Sequence, residues 1–164
     1  MSYAPTHPTA TAKEELRQLV ANCATFQGLV GAADAAAALP RVHLTSVILS
    51  EGVEVPRPFA MVTLPGKGEG TAFEYQSLAQ WEAKRKLWLW LVSENFVPDV
   101  SDDEQIFIDT AEKILDEIFQ QQDQGATLPI RDVRNVVPPE KTHPVEEAQD
   151  QRRFWVQVHE LELD

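Results

Sequence analysis

Cys23 is the residue in this sequence best suited to nucleophilic chemistry, and it is the only cysteine among 164 residues. It follows Leu16, Leu19 and Val20 at the i, i+3, i+4, i+7 spacing of one apolar helix face. A free cysteine on such a face packs as a small apolar side chain. We therefore expect Cys23 to be buried and not to act as a nucleophile. With one cysteine, neither an intrachain disulfide nor a cysteine-based zinc site is possible.

The remaining candidates for metal or phosphate chemistry are four scattered histidines, one glycine-rich turn and two acidic pairs. The histidines do not form a metal-ligand spacing such as HExxH; they are His7, His43, His143 and His159. The segment PGKGEG, residues 65–70, lacks GxxxxGK[ST], and we expect a hairpin turn there. Helix capping explains Asp102 and Asp103, and a solvated loop explains Glu146 and Glu147. The sequence predicts no catalytic residue, no metal site and no cofactor.

Charge and length restrict the function classes further. The formal net charge is −12, from 26 acidic and 14 basic side chains, which opposes binding to phosphate backbones and anionic membranes. An acidic wall would, however, keep passing DNA from adhering. No apolar run approaches the length that spans a bilayer, and the first residues lack the apolar core of a signal peptide. We expect one α+β domain at residues 12–164, preceded by a flexible arm at residues 1–11.

Two helices are predicted. The first covers residues 12–24 and begins with a capping box of Thr11 and Glu14. The second covers residues 102–123, with a capping box of Ser101 and Glu104 and a stop at Gly125. Its apolar stripe consists of Phe107, Ala111, Ile114, Leu115 and Ile118. A short helical turn is expected in the alanine-rich segment before Pro40.

Strands are predicted at residues 41–49, 58–64 and 71–78, within 81–92, within 128–137 and near the C-terminus. Residues 134–151 are rich in proline and charge and predict a long loop. In the closing segment the apolar phase changes at Leu161, which suggests a bulge. This order of elements predicts an antiparallel or mixed sheet of about four to six strands, with the two main helices packed on one face.

The strand within residues 81–92 is the most informative segment. Every residue from Leu87 to Val92 is apolar, so both faces of this strand must be covered. Trp88, Trp90 and Val92 share one face, opposite three leucines. Either both faces pack inside the domain, or the tryptophan face meets a neighbouring subunit, because tryptophan is enriched at interface anchors.

The layout resembles the tail-terminator and tail-completion, or head–tail joining, proteins of long-tailed bacteriophages. An N-terminal helix is followed by the strand PFAMVTLPG, a glycine turn, a hairpin, the acidic-capped helix DDEQIFIDTAEKILDEIF and closing strands. The resemblance covers residues 12–163. It implies a non-enzymatic virion subunit, assembled in the host cytoplasm, that forms a ring, possibly a hexamer, at the head-proximal end of the tail tube. DNA would pass through without specific binding.

Contacts with other copies, the tail tube and the neck or connector are the expected interactions, and no membrane partner is expected. The candidate interface residues lie on the tryptophan face, in the PGKGEG turn and in the long loop: Trp88, Trp90, Val92, Lys67, Glu69, Arg134, Glu140 and Lys141. Two alternatives stay open. One is a head-closure, neck or minor tail protein of the same fold. The other is a small cytoplasmic protein that binds a ligand on the tryptophan face.

Overall fold

A computed structural model describes residues 4–5, 8–44, 56–65, 85–94, 103–126, 128–136, 145–146 and 153–163. The helices are α1 (Pro8–Asn22), α2 (Ala24–Val30), α3 (Ala35–Ala38) and α4 (Asp103–Asp123), and a 3₁₀ turn (Leu39–Arg41) follows α3. The strands are β1 (Val42–His43), β2 (Phe59–Thr63), β3 (Arg85–Val92), β4 (Ile130–Val136), β5 (Val145–Glu146), β6 (Arg153–Phe154) and β7 (Val156–Leu163). None of the described helices is long and apolar enough to cross a bilayer.

Five strands form a mixed sheet in the order β1-β2-β3-β7-β4. Strand β1 runs parallel to β2, and the other three pairings are antiparallel. The short strands β5 and β6 form a separate antiparallel pair. The protein is therefore an α+β fold with a mixed sheet, as predicted. The C-terminal strand β7 lies inside the sheet, between β3 and β4.

The two sides of β3 belong to two different core clusters. The leucine face, defined by Leu87, Leu89 and Leu91, joins a cluster that also contains residues of α1, α2 and α4. The tryptophan face, defined by Trp88, Trp90 and Val92, joins a cluster made of strand residues: Phe59, Met61, Val156 and Val158. Both faces are buried, which confirms the expectation drawn from the apolar run. The placement of both main helices on one face of the sheet stays a prediction.

The first helix differs from its prediction at both ends. It begins at Pro8 and not at residue 12, so part of the predicted arm at residues 1–11 is helical. Proline is favourable in a first helical turn because its missing N–H would be unpaired there. The capping box is wrong: Glu14 instead receives hydrogen bonds from Arg17 and Gln18. At the other end Cys23 is extended, with ψ 122°, and separates α1 from α2.

Helix α4 agrees closely with its prediction. Phe107, Ala111, Ile114 and Ile118 are buried in the larger core cluster, and Leu115 packs against it. Gly125 has φ 99°, a left-handed conformation that glycine adopts without strain. The N–H groups of Gly125 and Ala126 return to the carbonyls of Gln122 and Gln121, which ends the helix as expected. Ser101 of the predicted capping box lies outside the described residues.

The bulge is found in β4 and not in β7. Strand β7 pairs with β3 without interruption from Val156 to Leu163, whereas the register with β4 shifts between Ile130 and Asp132. The apolar phase of β7 changes because polar residues, His159 and Glu160, are buried on opposite faces of the strand. Strand β4 also continues to Val136, past the predicted start of the loop at residue 134. The predicted strand at residues 71–78, the PGKGEG turn after Pro65 and most of the predicted loop at 134–151 lie outside the described residues.

Candidate functional site

The tryptophan face carries two neighbouring indoles, because Trp88 and Trp90 are two residues apart on the same side of β3. Trp88 is buried and Trp90 is half-buried, with ring centroids 5.9 Å apart. Trp90 lies opposite Met61 of β2, and its Nε1 donates to Thr63 Oγ1 at 2.9 Å. Both indole N–H groups therefore have partners inside the protein, since Trp88 donates to the carboxylate described next.

Glu160 is a buried carboxylate at the centre of this face, with only 3% of its surface exposed. Its Oε2 accepts from Trp88 Nε1 at 2.9 Å. Its Oε1 accepts from Arg134 Nε at 2.8 Å and from Arg134 Nη2 at 2.6 Å. Lys86 Nζ lies 3.8 Å from the same oxygen. Two cations and one indole N–H thus surround a single buried negative charge.

The strand order explains how these groups meet. Glu160 of β7 lies opposite Trp88 on one side and opposite Arg134 on the other, because β7 is placed between β3 and β4. Directly opposite residues of an antiparallel pair point to the same face of the sheet. The carboxylate therefore connects the edge strand β4 to the middle of the sheet through side chains as well as through the backbone.

This arrangement is suited to holding neighbouring strands together through side-chain hydrogen bonds and not to proton transfer. A general acid or base must present a titratable atom to a substrate. Both oxygens of Glu160 are already occupied by charge-assisted or indole hydrogen bonds, and the side chain is buried. Truncating one partner of such a buried pair leaves an uncompensated charge, which is strongly destabilising.

Four of the candidate residues named from the sequence come together on this face. Trp88, Trp90 and Val92 do so through β3, and Arg134 reaches them through Glu160. The other four, Lys67, Glu69, Glu140 and Lys141, lie outside the described residues. The sequence reading missed Thr63, Lys86 and Glu160. The available signal was Glu160, which takes the next place on the face of Val156 and Val158 in the closing strand and requires a cationic partner if it is buried.

The histidines do not converge on a site within the described part of the chain. His159 lies on the leucine face and is fully buried, and neither of its ring nitrogens has a hydrogen-bond partner there. Burial lowers the pKa of His159 to about 4, so this imidazole is neutral at pH 7. His43 is half-buried in β1, and burial also lowers its pKa. Among the described residues no group of three or more His, Cys, Asp or Glu side chains is placed to hold a metal ion.

Cys23 behaves as the sequence predicts. Its side chain is buried and its Sγ lies 3.2 Å from the carbonyl oxygen of Leu19. Burial, together with the charge of Glu117, raises the pKa of the thiol to about 12. A thiol that stays protonated at neutral pH is a poor nucleophile, so Cys23 is a packing residue.

One open groove, of about 310 Å³, lies between α1 and the segment that follows α4. Its lining includes Leu19, Ala126 and Leu128, with Glu15 and Gln18 on the α1 side. None of the residues of the tryptophan face lines it. The groove is therefore separate from the surface on which a ligand was expected.

Comparison with protein-family models finds no matching family, and comparison with curated proteins finds no relative of this chain.

Proposed function

We propose that this chain is a structural virion subunit, a tail terminator that closes into a ring with copies of itself at the head-proximal end of a phage tail. The proposal starts from the resemblance in layout over residues 12–163. It gains support from two properties of the described residues, the surface of α4 and the use of the buried Glu160.

The observation that carries the proposal is a row of exposed carboxylates along α4. Asp109, Glu112, Asp116 and Asp123 are all exposed. At about 100° per residue, these four positions fall within an arc of about 60° on the side of the helix opposite its buried stripe, and they extend over about 21 Å. We call this row the acidic stripe. Its only described cationic contact is Lys113, whose Nζ lies 2.9 Å from Asp109 Oδ2.

An acidic stripe has a direct use in a ring through which DNA passes. A row of fixed negative charge repels phosphate groups, so DNA crosses without being retained. The same stripe would oppose any function that requires the helix to bind nucleic acid or an anionic lipid surface.

The buried Glu160 supports a structural role over an enzymatic one. On the tryptophan face the buried carboxylate of Glu160 accepts hydrogen bonds from Trp88 of β3 and Arg134 of β4, and these bonds join strands. In the proposed protein, identical subunits make heterologous contacts that close into a ring. The ring ends growth of the tail tube and presents a binding surface to the neck. A head-closure, neck or minor tail protein of the same fold would use the same properties. The groove between α1 and the segment after α4 does not adjoin the tryptophan face, so it gives the ligand-binding alternative no support.

Assembly is tested by native mass spectrometry and light scattering of the purified chain, alone and with purified phage tail tubes. The expected result is a closed ring, free or at one end of each tube, and tubes of limited length. A chain that stays monomeric under both conditions and leaves tube length unchanged would contradict the proposal.

The acidic stripe is tested with the double variant Glu112→Lys and Asp116→Lys. The control, Glu94→Lys with Glu104→Lys, makes the same change of net charge at exposed positions outside the stripe. In assembled rings at about 50 mM salt, where phosphate contacts are strong, the stripe variant should retain double-stranded DNA and the control should not. Equal retention by the two variants would show that the stripe does not face the DNA.

A further inference from the structure

Strand β4 is the edge strand of the sheet formed by the described residues. It pairs with β7 on one side, and among the described residues no strand pairs with it on the other. Arg131, Asp132, Arg134 and Asn135 are exposed. A strand at a sheet edge has unpaired backbone groups along its outer side, and these groups can pair with a strand from another chain.

The backbone of Val133 is directed toward that outer side. Its N–H donates to the Asp132 side chain, with N and Oδ1 2.9 Å apart. An exposed carboxylate therefore occupies a donor that a pairing strand would use. In an antiparallel pair, the residue whose N–H and C=O both point outward forms a hydrogen-bonded pair with its opposite residue. Val133 is such a residue on the outer side of β4.

The charges that flank Val133 are self-complementary. Asp132 and Arg134 lie opposite Glu162 and Glu160, so both belong to the tryptophan side of the sheet. When two copies of β4 pair antiparallel about a two-fold axis at Val133, Asp132 of each copy lies opposite Arg134 of the other. These are non-hydrogen-bonded positions, where opposite side chains approach most closely.

The neighbouring registers are unfavourable. Opposite residues of a strand pair lie on the same face of a sheet. If the tryptophan sides of the two copies form one continuous face, the two-fold axis must therefore lie at a residue that is opposite its own copy. An axis at Asp132 places two aspartates opposite each other, and an axis at Arg134 places two arginines opposite each other. Directly opposed like charges destabilise a strand pair. The bulge near Arg131 limits the regular ladder on one side of Val133, which disfavours longer slipped pairings.

Arg134 can serve both contacts. Its Nε and Nη2 bond Glu160 within the chain, and a guanidinium has five N–H donors in a planar fork. Its side chain remains 62% exposed while Glu160 is buried, so the cation is held in place and still accessible to a second carboxylate. Glu160 therefore orients the arginine for the contact.

We propose that β4 is a two-fold interface, at which a second copy of this chain pairs antiparallel about Val133 and joins two five-stranded sheets into one. This contact uses the same surface on both copies. It goes beyond the ring proposed above, whose contacts join different surfaces, and it does not depend on that ring.

Disulfide trapping in the full chain tests the register. Val133→Cys should form a disulfide-linked dimer on mild oxidation, because Cα atoms of a hydrogen-bonded pair lie about 5.5 Å apart and a disulfide spans about 4.4–6.8 Å. Asn135→Cys is the matched control, because the two copies of residue 135 would lie about 13 Å apart along the strands. The unsubstituted chain is a second control, since its Cys23 is buried.

Sedimentation at varied concentration tests the charges. Asp132→Lys places Lys opposite Arg134 and should weaken the dimer about tenfold to a hundredfold. Asp116→Lys makes the same charge change on α4 and should leave dimerisation unchanged. Circular dichroism checks that each variant is folded.

The interface is supported if Val133→Cys forms the disulfide-linked dimer and Asn135→Cys does not, and if Asp132→Lys weakens dimerisation and Asp116→Lys does not. This conclusion holds whether or not rings are found. Trapping of Asn135→Cys as efficiently as Val133→Cys would overturn it, and so would a chain that neither cross-links nor self-associates. Failure of the ring proposal would appear in the tail-tube assay and would leave this result unaffected.

Discussion

Arg134 provides the most direct measure of how the buried Glu160 is held. The variant Arg134→Met keeps most of the side-chain stem and removes the guanidinium that contacts Oε1 at 2.6 Å and 2.8 Å. Breaking a buried ion pair by removing one partner costs about 3–5 kcal/mol. We expect about 2–4 kcal/mol here, because Lys86 remains 3.8 Å from the carboxylate and Trp88 still donates to it.

Arg131→Met is the matched control. Both arginine side chains are 62% exposed and both lie on β4, but Arg131 is 4.0 Å from Glu162, whose side chain is 27% exposed. Exposed ion pairs contribute about 0–1 kcal/mol, so this variant should be nearly neutral. The difference between the two variants therefore reports the burial of the acidic partner, since the arginines themselves are equally exposed.

The assay is urea unfolding followed by circular dichroism at pH 7, at a protein concentration below that of self-association. Since a domain of this kind has a total stability of about 5–15 kcal/mol, a loss of 2–4 kcal/mol moves the midpoint clearly. If Arg134→Met costs no more than Arg131→Met, the carboxylate does not depend on Arg134. The hydrogen bonds between Glu160 and Arg134 would then not stabilise the attachment of β4 to the sheet.

Two further predictions concern single side chains, the buried His159 and the half-buried Glu117. The pKa of His159 is lowered to about 4 from its ordinary 6.5, so the unfolded chain takes up a proton before the folded chain as the pH falls. The contribution of His159 to the free energy of unfolding should therefore be complete above pH 6.5 and decrease toward pH 4. The expected loss down to pH 5 is about 1–2 kcal/mol. His159→Leu should remove this component, and a pH profile of urea unfolding that is unchanged in the variant would contradict it. Glu117 accepts from Thr25 N at 3.1 Å and from Thr25 Oγ1 at 2.8 Å, which caps the N-terminus of α2 from α4. Glu117→Ala should cost about 1–2 kcal/mol in thermal unfolding, against little change for the exposed Glu112→Ala, and equal melting temperatures would show that this cap is not needed.

The spacing of apolar residues predicted those helices and strands whose identifying residues all lie within one short segment of the sequence. Helix α4 was predicted almost to its bounds because its apolar stripe, its acidic first turn and Gly125 all occur within one segment. The apolar run of β3 predicted a strand buried on both faces for the same reason. The break between α1 and α2 at Cys23 was missed, because an apolar helical spacing continues through it and the interruption is stabilised by contacts with α4.

The candidate site was predicted only in part. Trp88, Trp90 and Val92 share a face through the two-residue period of a strand, which the sequence determines on its own. Glu160 joins them only because β7 is inserted between β3 and β4. Nothing local identifies the partner of a buried acidic residue when that partner is 26 or 72 residues away along the chain.

The sequence by itself determined an acidic chain with one cysteine, a helix with an apolar stripe, and a strand with two apolar faces. These properties depend on residue type and short-range spacing. The tertiary structure alone decided which strand became the edge of the described sheet, that Arg134 would be held by a buried carboxylate, and that Asp132, Val133 and Arg134 would lie on that edge strand. Each of these depends on strand order and register, which are set by the packing of the whole sheet and not by any one segment.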